Sequence, residues 1–532
     1  MKKKILKRMG IVLLLPFLMV SCKDNFEKIN TDPVNTPNAL PEQLLAPALV
    51  NTLNANMIRN RNFNNELMQV TVSISDGDAT VFRYEFRRTF SDYLWNSWYI
   101  QLTNFKDLYT QASNPLTLNK SYQGISLICQ SWIYSMLTDT YGDVPYFESN
   151  LAKEGIGEPK FDTQKDIYND IFAKLEEANT LLSSNAAISA NSDPVFNGNV
   201  SKWRKFGNSL YLRLLLRVSG KTQISDAAIA KIQEIVDTKS STYPIMASND
   251  DSAILRWTGV APYTSPYIGV REQDFRSPAI ANFFIDNLVY WKDPRIDIST
   301  FGKDGVNRWG ISQGSSGFSG VPSGYLPGAG VTKQSAFYSM ASVVSSKPAQ
   351  TLQTDPLTGN IMNYAELQFI LAEAAARGWI SKSAETYYYT GILNSITLWL
   401  PNWPNATATA TGPSGVKITD AAFTNYISTA ELGWDENLAL DAPRSQNSKL
   451  EKIHRQKYYT TFLTDLQQWF EYRRTGHPHI EIGPGLRNNG EMPARMTYPV
   501  YVESANPTNY KAAISVQGPD QINTKVWWQT PN

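Results

Sequence analysis

The stretch MNYAELQFILAEAAARG, Met362–Gly378, carries the clearest structural signal in this sequence. Apolar side chains recur along it at helical spacing, at Tyr364, Leu367, Ile370, Leu371 and Ala374. This spacing predicts an α-helix with one apolar stripe, and Gly378 is of the residue type that commonly ends helices. The small side chains of Ala372 and of Ala374–Ala376 would let a partner helix approach closely.

A second helix is predicted directly after the first one, opening at Ser383 and continuing through Tyr387, Ile392 and Ile396. Two helices with a short connection fit a unit of roughly 34–40 residues, the size of a tetratricopeptide-type hairpin. The same kind of spacing predicts further helices at about 65–75, 88–113, 123–138, 163–182, 201–219, 225–237 and 448–475. The sequence therefore predicts a mainly α fold of tetratricopeptide-like helical hairpins.

Helical spacing is lost between about residues 240 and 360. GISQGSSGFSGVPSGYLPGAG, Gly310–Gly330, is rich in glycine, serine and proline, yet the whole region is also rich in aromatic residues. Because disordered segments are poor in aromatic residues, we predict an ordered, loop-rich, irregular lobe on the helical scaffold. The chain is then divided into an N-terminal helical region (41–239), the lobe (240–360) and a C-terminal helical region with an irregular closing segment (361–532).

The amino terminus resembles a bacterial lipoprotein signal. Basic residues at positions 2–8 precede the apolar run Ile11–Leu18, and the segment LMVSC ends at Cys22. This run is shorter than the roughly 20 apolar residues that span a bilayer. We expect residues 1–21 to be a removed signal peptide, Cys22 to carry acyl chains, and residues 22–40 to form a flexible tether. The alternative is an ordinary signal peptide with a chance cysteine.

The charge balance argues against nucleic acid as a partner. Without the five basic residues of the leader, 44 lysines and arginines stand against 48 aspartates and glutamates. Nucleic-acid binding would call for a basic patch instead. Cys129 would be the one remaining cysteine of the mature chain, so no internal disulfide can form, and its apolar neighbours predict that it is buried.

Six segments stand out in order along the chain: DTYGDVPY at 139–146, which we call the hallmark segment, and residues 161–178, 362–378, 455–476, 492–510 and 525–529. Together they resemble the SusD/RagB family of outer-membrane nutrient-binding lipoproteins of Bacteroidetes. DTYGDVPY is similar to the hallmark of this family. We interpret the hallmark residues as a structural corner rather than a ligand site: Asp139, Tyr141, Gly142, Asp143, Pro145 and Tyr146. Gly142 can adopt a positive φ there.

The resemblance implies a SusD-like α-α superhelix with an irregular lobe that holds the ligand. It also implies a protein anchored by lipid in the cell outer membrane, facing the exterior, with a SusC-like TonB-dependent barrel as its partner. Ligands in the family are mainly oligosaccharides, with peptides for some members. A structural lid for the transporter, without ligand affinity of its own, is a further alternative.

Aromatic residues of the lobe are the candidate ligand contacts. Sugar rings pack on aromatic faces, and concave sites with aromatic walls and a few polar groups are the usual binding pattern. The candidates are Trp257, Tyr263, Tyr267, Trp309 and Tyr325, with Arg276 and Asn307 as polar partners.

Catalysis is not indicated. The sequence lacks the G-x-S-x-G, H-E-x-x-H, P-loop and C-x-x-C motifs, so we expect a binding protein rather than an enzyme, without cofactor or metal. His477-Pro478-His479 could turn both rings to one side as metal ligands, with Glu481 nearby. A solvated turn is the interpretation we favour for this segment.

Overall fold

The computed structural model describes residues 39–75, 77, 80–341, 343–344, 347–348, 350–406, 415–443, 445 and 447–530. Cys22 and the tether up to residue 38 lie outside the described residues. Pro41–Asn532 form one compact unit. The boundaries proposed near residues 240 and 361 fall inside this unit, and they stay a prediction.

The predicted mainly helical fold is confirmed. Numbering the helices of six or more residues, the structure has α1 Pro41–Arg59, α2 Asp92–Ser113, α3 Lys120–Tyr141, α4 Gln164–Leu182, α5 Val200–Val218, α6 Ser225–Gln233, α7 Asn282–Tyr290, α8 Tyr364–Ala376, α9 Ala384–Trp399, α10 Ala421–Thr429, α11 Lys449–Thr460, α12 Gln467–Thr475, α13 Val500–Ala505 and α14 Pro507–Gln517. Shorter turns of helix, such as Glu272–Arg276, lie between them.

Strands are short and pair two by two among the described residues. They are β1 Thr71–Val72, β2 Val144–Pro145, β3 Phe161–Asp162, β4 Ala253–Leu255, β5 Ala279–Ile280, β6 Val343–Val344, β7 Lys347–Pro348 and β8 Gly359–Met362. The pairs β1–β5, β2–β3, β4–β8 and β6–β7 are all antiparallel. Two of them, β1–β5 and β4–β8, connect segments about 200 and 100 residues apart and so tie the loop-rich segment to the helices.

Consecutive helices pack as hairpins. Helices α1 to α5 contact one another in sequence, and α8 packs on α9 and on α11. Side-chain caps set where several of them begin, as the sequence predicts for Thr163, which accepts from the backbone N–H of Asp166 at 3.2 Å. Ser383 caps α9 in the same way, and Asn363 caps α8.

Two helix predictions are wrong in their bounds. Helix α1 was not predicted, and the residues near 65–75 form only Asn65–Leu67 followed by β1. The single helix expected at 448–475 is broken into α11 and α12. At this break the side chain of Asn60 donates to the carbonyls of Phe462 and Asp465, at 3.2 and 2.8 Å, so a partner distant in sequence satisfies the groups that a continuous helix would have bonded.

One hydrophobic core runs through all the helices and includes Cys129, which is buried as predicted. Buried ion pairs cross it, and Arg213 of α5 forms two 2.7 Å hydrogen bonds with the carboxylate of Glu366 in the first turn of α8. The loop-rich segment adds its own aromatic residues to this core, with Trp257, Trp291 and Trp309 all buried. The lobe is therefore packed on the helical scaffold and is not a separate layer.

Candidate functional site

Four helices and the carboxyl-terminal segment meet at the first residue of the hallmark segment. The buried carboxylate of Asp139, at the end of α3, accepts hydrogen bonds from Tyr168 of α4 and from the indole N–H of Trp528, both at 2.7 Å. Arg217 of α5 lies 3.8 Å from its other oxygen, and Arg473 of α12 donates to its carbonyl at 2.6 Å. Burial raises the pKa of Asp139, although the nearby arginines oppose this shift.

The other hallmark residues are buried in the same corner. Tyr141 donates to the carbonyl of Ser91 at 2.6 Å, and Tyr146 donates to the carboxylate of Asp170 at 2.6 Å. The carbonyl of Pro145 accepts from the hydroxyl of Tyr99 at 2.7 Å. These hydrogen bonds hold the corner against α2 and α4, and the interpretation of the segment as structural stays a prediction.

Gly142 and Asp143 form the turn of the corner. Gly142 has φ 84° and ψ −127°, a conformation open to glycine and strained for other residues. The backbone N–H of Asp143 donates to Oε1 of Gln517 at 2.6 Å, and its carboxylate accepts from the N–H of Gln164 at 2.8 Å. Burial raises the pKa of Asp143 to about 6.

Most of the candidate ligand contacts are buried. The side chains with 5% exposure or less are Trp257, Tyr267, Asn307, Trp309 and Tyr325. Trp309 shows the reason, because its ring packs against Phe284 and Phe462 and the guanidinium of Arg295 lies 4.5 Å from its centre. Trp257, Tyr267 and Trp309 belong to the main hydrophobic core, and Tyr325 belongs to a smaller cluster with Phe82 and Val321. A ligand could not contact these five side chains without displacing core packing.

Two of the candidates remain accessible. Tyr263 is partly exposed and lines a cavity of about 560 Å³ with Lys202, Asp250 and Arg256. Arg276 is exposed, lies 3.5 Å from Glu272, and does not line this cavity. The structure therefore does not bring the seven predicted residues together in one site, and a ligand role for Tyr263 or Arg276 stays a prediction.

A larger cavity of about 770 Å³ opens between α7 and α11, and we call it the α7–α11 groove. Its lining residues are Phe283, Asp286, Asn287, Tyr290 and Trp291 from α7 and its end, Glu451, Lys452, Arg455 and Gln456 from α11, Tyr388 from α9, and the segments 431–432 and 479–481. Tyr290 is 60% exposed, and its hydroxyl donates to the carboxylate of Glu431. The groove thus offers an exposed aromatic ring beside hydrogen-bonding groups.

Carboxylates and cations share the groove. Burial raises the pKa of Asp286 and of Glu481, and the charge of Asp286 raises that of Glu481 further. Burial lowers the pKa of Lys452. These groups, together with Asn287, can accept from or donate to hydroxyl groups of a bound molecule. The groove is suited to a polar ligand with an apolar face.

A cluster of two histidines and one glutamate closes one end of the groove. Glu451 lies in the first turn of α11, where Ser448 accepts from its N–H at 3.1 Å. Its Oε2 is 2.7 Å from Nδ1 of His477 and 2.7 Å from Nδ1 of His479. Burial opposes ionisation of Glu451, but the hydrogen bond to His477 and the charge of Arg455 outweigh it and hold the pKa of this carboxyl at about 2.

The expectation of a solvated turn at His477-Pro478-His479 is wrong. The side chain of His477 is 2% exposed, and that of His479 is 21% exposed. Helix α12 ends at Gly476 in the left-handed conformation, so the chain turns back and places both rings against the first turn of α11. The carboxylate that meets them is Glu451 and not the neighbouring Glu481.

Sequence reasoning missed Tyr290. The segment NFFIDNLVY places Phe284 and Leu288 on one helical face, and both are fully buried. Asp286 and Tyr290 are four residues apart and share another face of the helix, outside its apolar stripe. This pair is the sequence feature that could have indicated an exposed aromatic residue. What the sequence could not show is that α11 lies opposite this face.

Among the described residues, no helix is both long and apolar enough to cross a membrane. A family model described as "starch-binding associating with outer membrane" matches residues 33–499. No curated protein matches the chain.

Solved structures share the fold. A SusD homologue from Bacteroides fragilis superposes with a TM-score of 0.68 at 24% identity, covering 92% of this chain and 99% of that chain. A chitin-binding SusD homologue from Flavobacterium johnsoniae gives 0.69 at 20% identity, covering 92% and 98%. A SusD-like protein from Bacteroides thetaiotaomicron gives 0.68 at 20% identity, covering 91% and 98%. Because the family model matches most of the 532 residues, the resemblance to the family is confirmed, and the chain belongs to the SusD-like family.

Proposed function

We propose that this protein is a non-catalytic lipoprotein of the outer membrane that binds an oligosaccharide in the α7–α11 groove and delivers it to a SusC-like TonB-dependent barrel. The observation that carries the proposal is the exposed ring of Tyr290 in a groove of about 770 Å³ lined by polar groups. Grooves of roughly 300–1,000 Å³ hold small ligands. The description of the family as starch-binding and the chitin-binding relative support a glycan as the ligand class.

Tyr290 is positioned to act as a stacking platform. Its ring stands on the exposed end of α7, and its hydroxyl is held by Glu431, so the ring is oriented before a ligand arrives. An aromatic ring fixed in this way loses little conformational freedom on binding. The apolar face of a sugar would pack on the ring, while Asn287, Lys452 and Arg455 meet its hydroxyl groups.

Isothermal titration calorimetry with maltooligosaccharides, chitooligosaccharides and a peptide panel tests the ligand class. Tyr290→Ala is expected to weaken binding of the glycan that responds by about 1–3 kcal/mol. Phe147→Ala is the matched control, because Phe147 is 54% exposed and does not line the groove. Equal affinity of both variants and the parent would contradict a site at Tyr290.

Tyr263→Ala distinguishes the two cavities. Tyr263 lines the cavity of about 560 Å³, so loss of affinity in this variant with normal binding by Tyr290→Ala would move the site there. Binding of peptides without glycans would favour a peptide-binding member. Absence of binding across the whole panel would favour a structural lid.

The partner and the anchor need separate tests. Affinity purification of the full chain from membranes of its own bacterium, in mild detergent, is expected to recover a TonB-dependent barrel. Mass spectrometry of the mature amino terminus is expected to show acyl chains on Cys22. A bare thiol at residue 22, or a chain recovered without a barrel, would contradict these parts of the proposal.

A further inference from the structure

The cluster at the end of the groove has the donor set of a metal site. Glu451, His477 and His479 each offer a ligand atom within 4.8 Å of the other two, and Oε2 of Glu451 lies 2.7 Å from Nδ1 of both histidines. Two imidazoles and one carboxylate, with further positions open, are the protein ligands of many zinc sites. Arg455 Nη2 donates to the other oxygen of Glu451 at 2.6 Å, which leaves Oε2 as the single carboxylate ligand.

A second, independent feature orients His477 as a ligand. Its Nε2 lies 3.0 Å from Oδ1 of Asp441, on the side of the ring away from Glu451. Metal-binding histidines almost always donate their other ring N–H to such a carboxylate, which fixes the tautomer and the ring orientation. With Nε2–H directed to Asp441, loss of the proton that Nδ1 donates to Glu451 would leave the Nδ1 lone pair directed to the position between His477, His479 and Glu451.

We propose that Glu451, His477 and His479 bind a divalent transition-metal ion of the zinc class, with its open coordination positions facing the α7–α11 groove. His479 and Glu451 both line this groove, so an ion held there is within reach of a molecule in it. Tetrahedral bonds of about 2.0–2.2 Å place two ligand atoms roughly 3.3–3.6 Å apart. Oε2 of Glu451, now 2.7 Å from each Nδ1, would therefore move about 0.6–0.9 Å farther from both histidines. His479 is the more exposed of the two histidines, at 21% of its side chain against 2% for His477.

A second group of similar composition shows what a closed ionic cluster looks like in this protein. Glu373, His454 and Glu471 also lie within 4.8 Å of one another, but all three are fully buried. Arg474 donates to both carboxylates, and Lys457 lies 2.8 Å from Glu471. Cations of the protein already hold these oxygens, and none of the three residues lines the groove. The Glu451 cluster, and not this second group, is therefore the candidate metal site.

The test is metal binding by the full chain, purified in detergent with a tag free of histidine and stripped with a chelator. The parent protein is expected to bind one Zn²⁺ per chain more than the chelator-treated blank does. Co²⁺ in its place is expected to give the visible absorption of a nitrogen- and oxygen-ligated ion. His479→Ala is expected to lower the affinity for Zn²⁺ at least tenfold. Glu503→Gln, which removes an exposed carboxylate outside both the cluster and the groove, is expected to leave the affinity for Zn²⁺ unchanged.

Asp441→Asn provides a variant that does not alter a ligand. Asp441 is 46% exposed, so this change is expected to leave the melting temperature in place while weakening Zn²⁺ binding 10–100-fold. Less than a fifth of an equivalent of Zn²⁺ on the parent protein would overturn the proposal. Equal affinity in the parent, His479→Ala and Asp441→Asn would also overturn it, because the ion would then lie elsewhere. Glycan binding is not needed for either readout, so failure here does not decide the proposed function.

Discussion

Replacing Gly142 by alanine tests whether the hallmark segment is a structural corner. At φ 84° and ψ −127° a residue with a Cβ is strained by about 1–3 kcal/mol. The added Cβ would also overlap Oε1 of Gln517, so this side chain must move. It would then lose the hydrogen bond from the N–H of Asp143 and its own bond to Tyr498.

The loss in free energy of unfolding expected for Gly142→Ala follows from these contacts. Two lost hydrogen bonds contribute about 0.5–1.5 kcal/mol each, and with the backbone strain the total is about 2–6 kcal/mol. Urea denaturation followed by circular dichroism measures it as a lower midpoint. Because domains are stable by only about 5–15 kcal/mol, the shift is expected to be large.

Two comparisons separate the causes. Gly476→Ala introduces the same methyl group at φ 75° with no atom within 4 Å, so it carries backbone strain without overlap and should cost less. In a Gln517→Ala background the overlap is absent, and Gly142→Ala should then cost less than it does in the parent chain. Equal destabilisation by Gly142→Ala and Gly476→Ala, with no change in the Gln517→Ala background, would refute the reasoning.

Three further predictions concern buried groups. Arg213→Met leaves Glu366 charged and unpaired in the core, so we expect a loss of about 3–5 kcal/mol in urea denaturation, much of it recovered by Arg213→Met/Glu366→Met. Because the pKa of Asp143 is raised to about 6 when folded, its contribution to stability is present in full below its unfolded pKa and is lost as pH rises to about 6. Asp143→Asn should remove that decline of up to about 3 kcal/mol, seen as a flatter plot of unfolding free energy against pH. Trp309→Ala should cost about 3–5 kcal/mol in thermal or urea unfolding while leaving glycan affinity of the folded protein unchanged, and weaker binding would return this residue to the site.

The helices that the sequence predicts well are those with local signals at both ends. Thr163 caps α4 and Ser383 caps α9, and a regular apolar stripe follows each cap. Helix α1 begins at Pro41 and contains Pro47, which hides it from the same reasoning. The break between α11 and α12 depends on Asn60, about 400 residues away in sequence, so no local pattern could reveal it.

The site was harder to predict than the fold because burial of an aromatic residue is a property of the whole structure. Trp309 and Tyr290 both lie in the aromatic-rich segment, yet the first packs on Phe462 and the second stands in solvent. Composition alone does not distinguish the buried residue from the exposed one. Only the position of α11 distinguishes a groove wall from a core residue, and the contacts that place α11 are formed by residues remote in sequence.

Helix α12 connects the hallmark segment to the groove. Arg473 donates to the carbonyl of Asp139 at 2.6 Å, and this bond fixes the helix against the hallmark corner. Three residues later Gly476 ends the helix, and Nδ1 of His477 then lies 2.7 Å from Glu451, which lines the groove. A rigid helix of only nine residues therefore spans the two places. The corner at the hallmark segment can in this way set the position of groups that line the groove, which gives a physical reason for this segment to be the most recognisable part of the sequence.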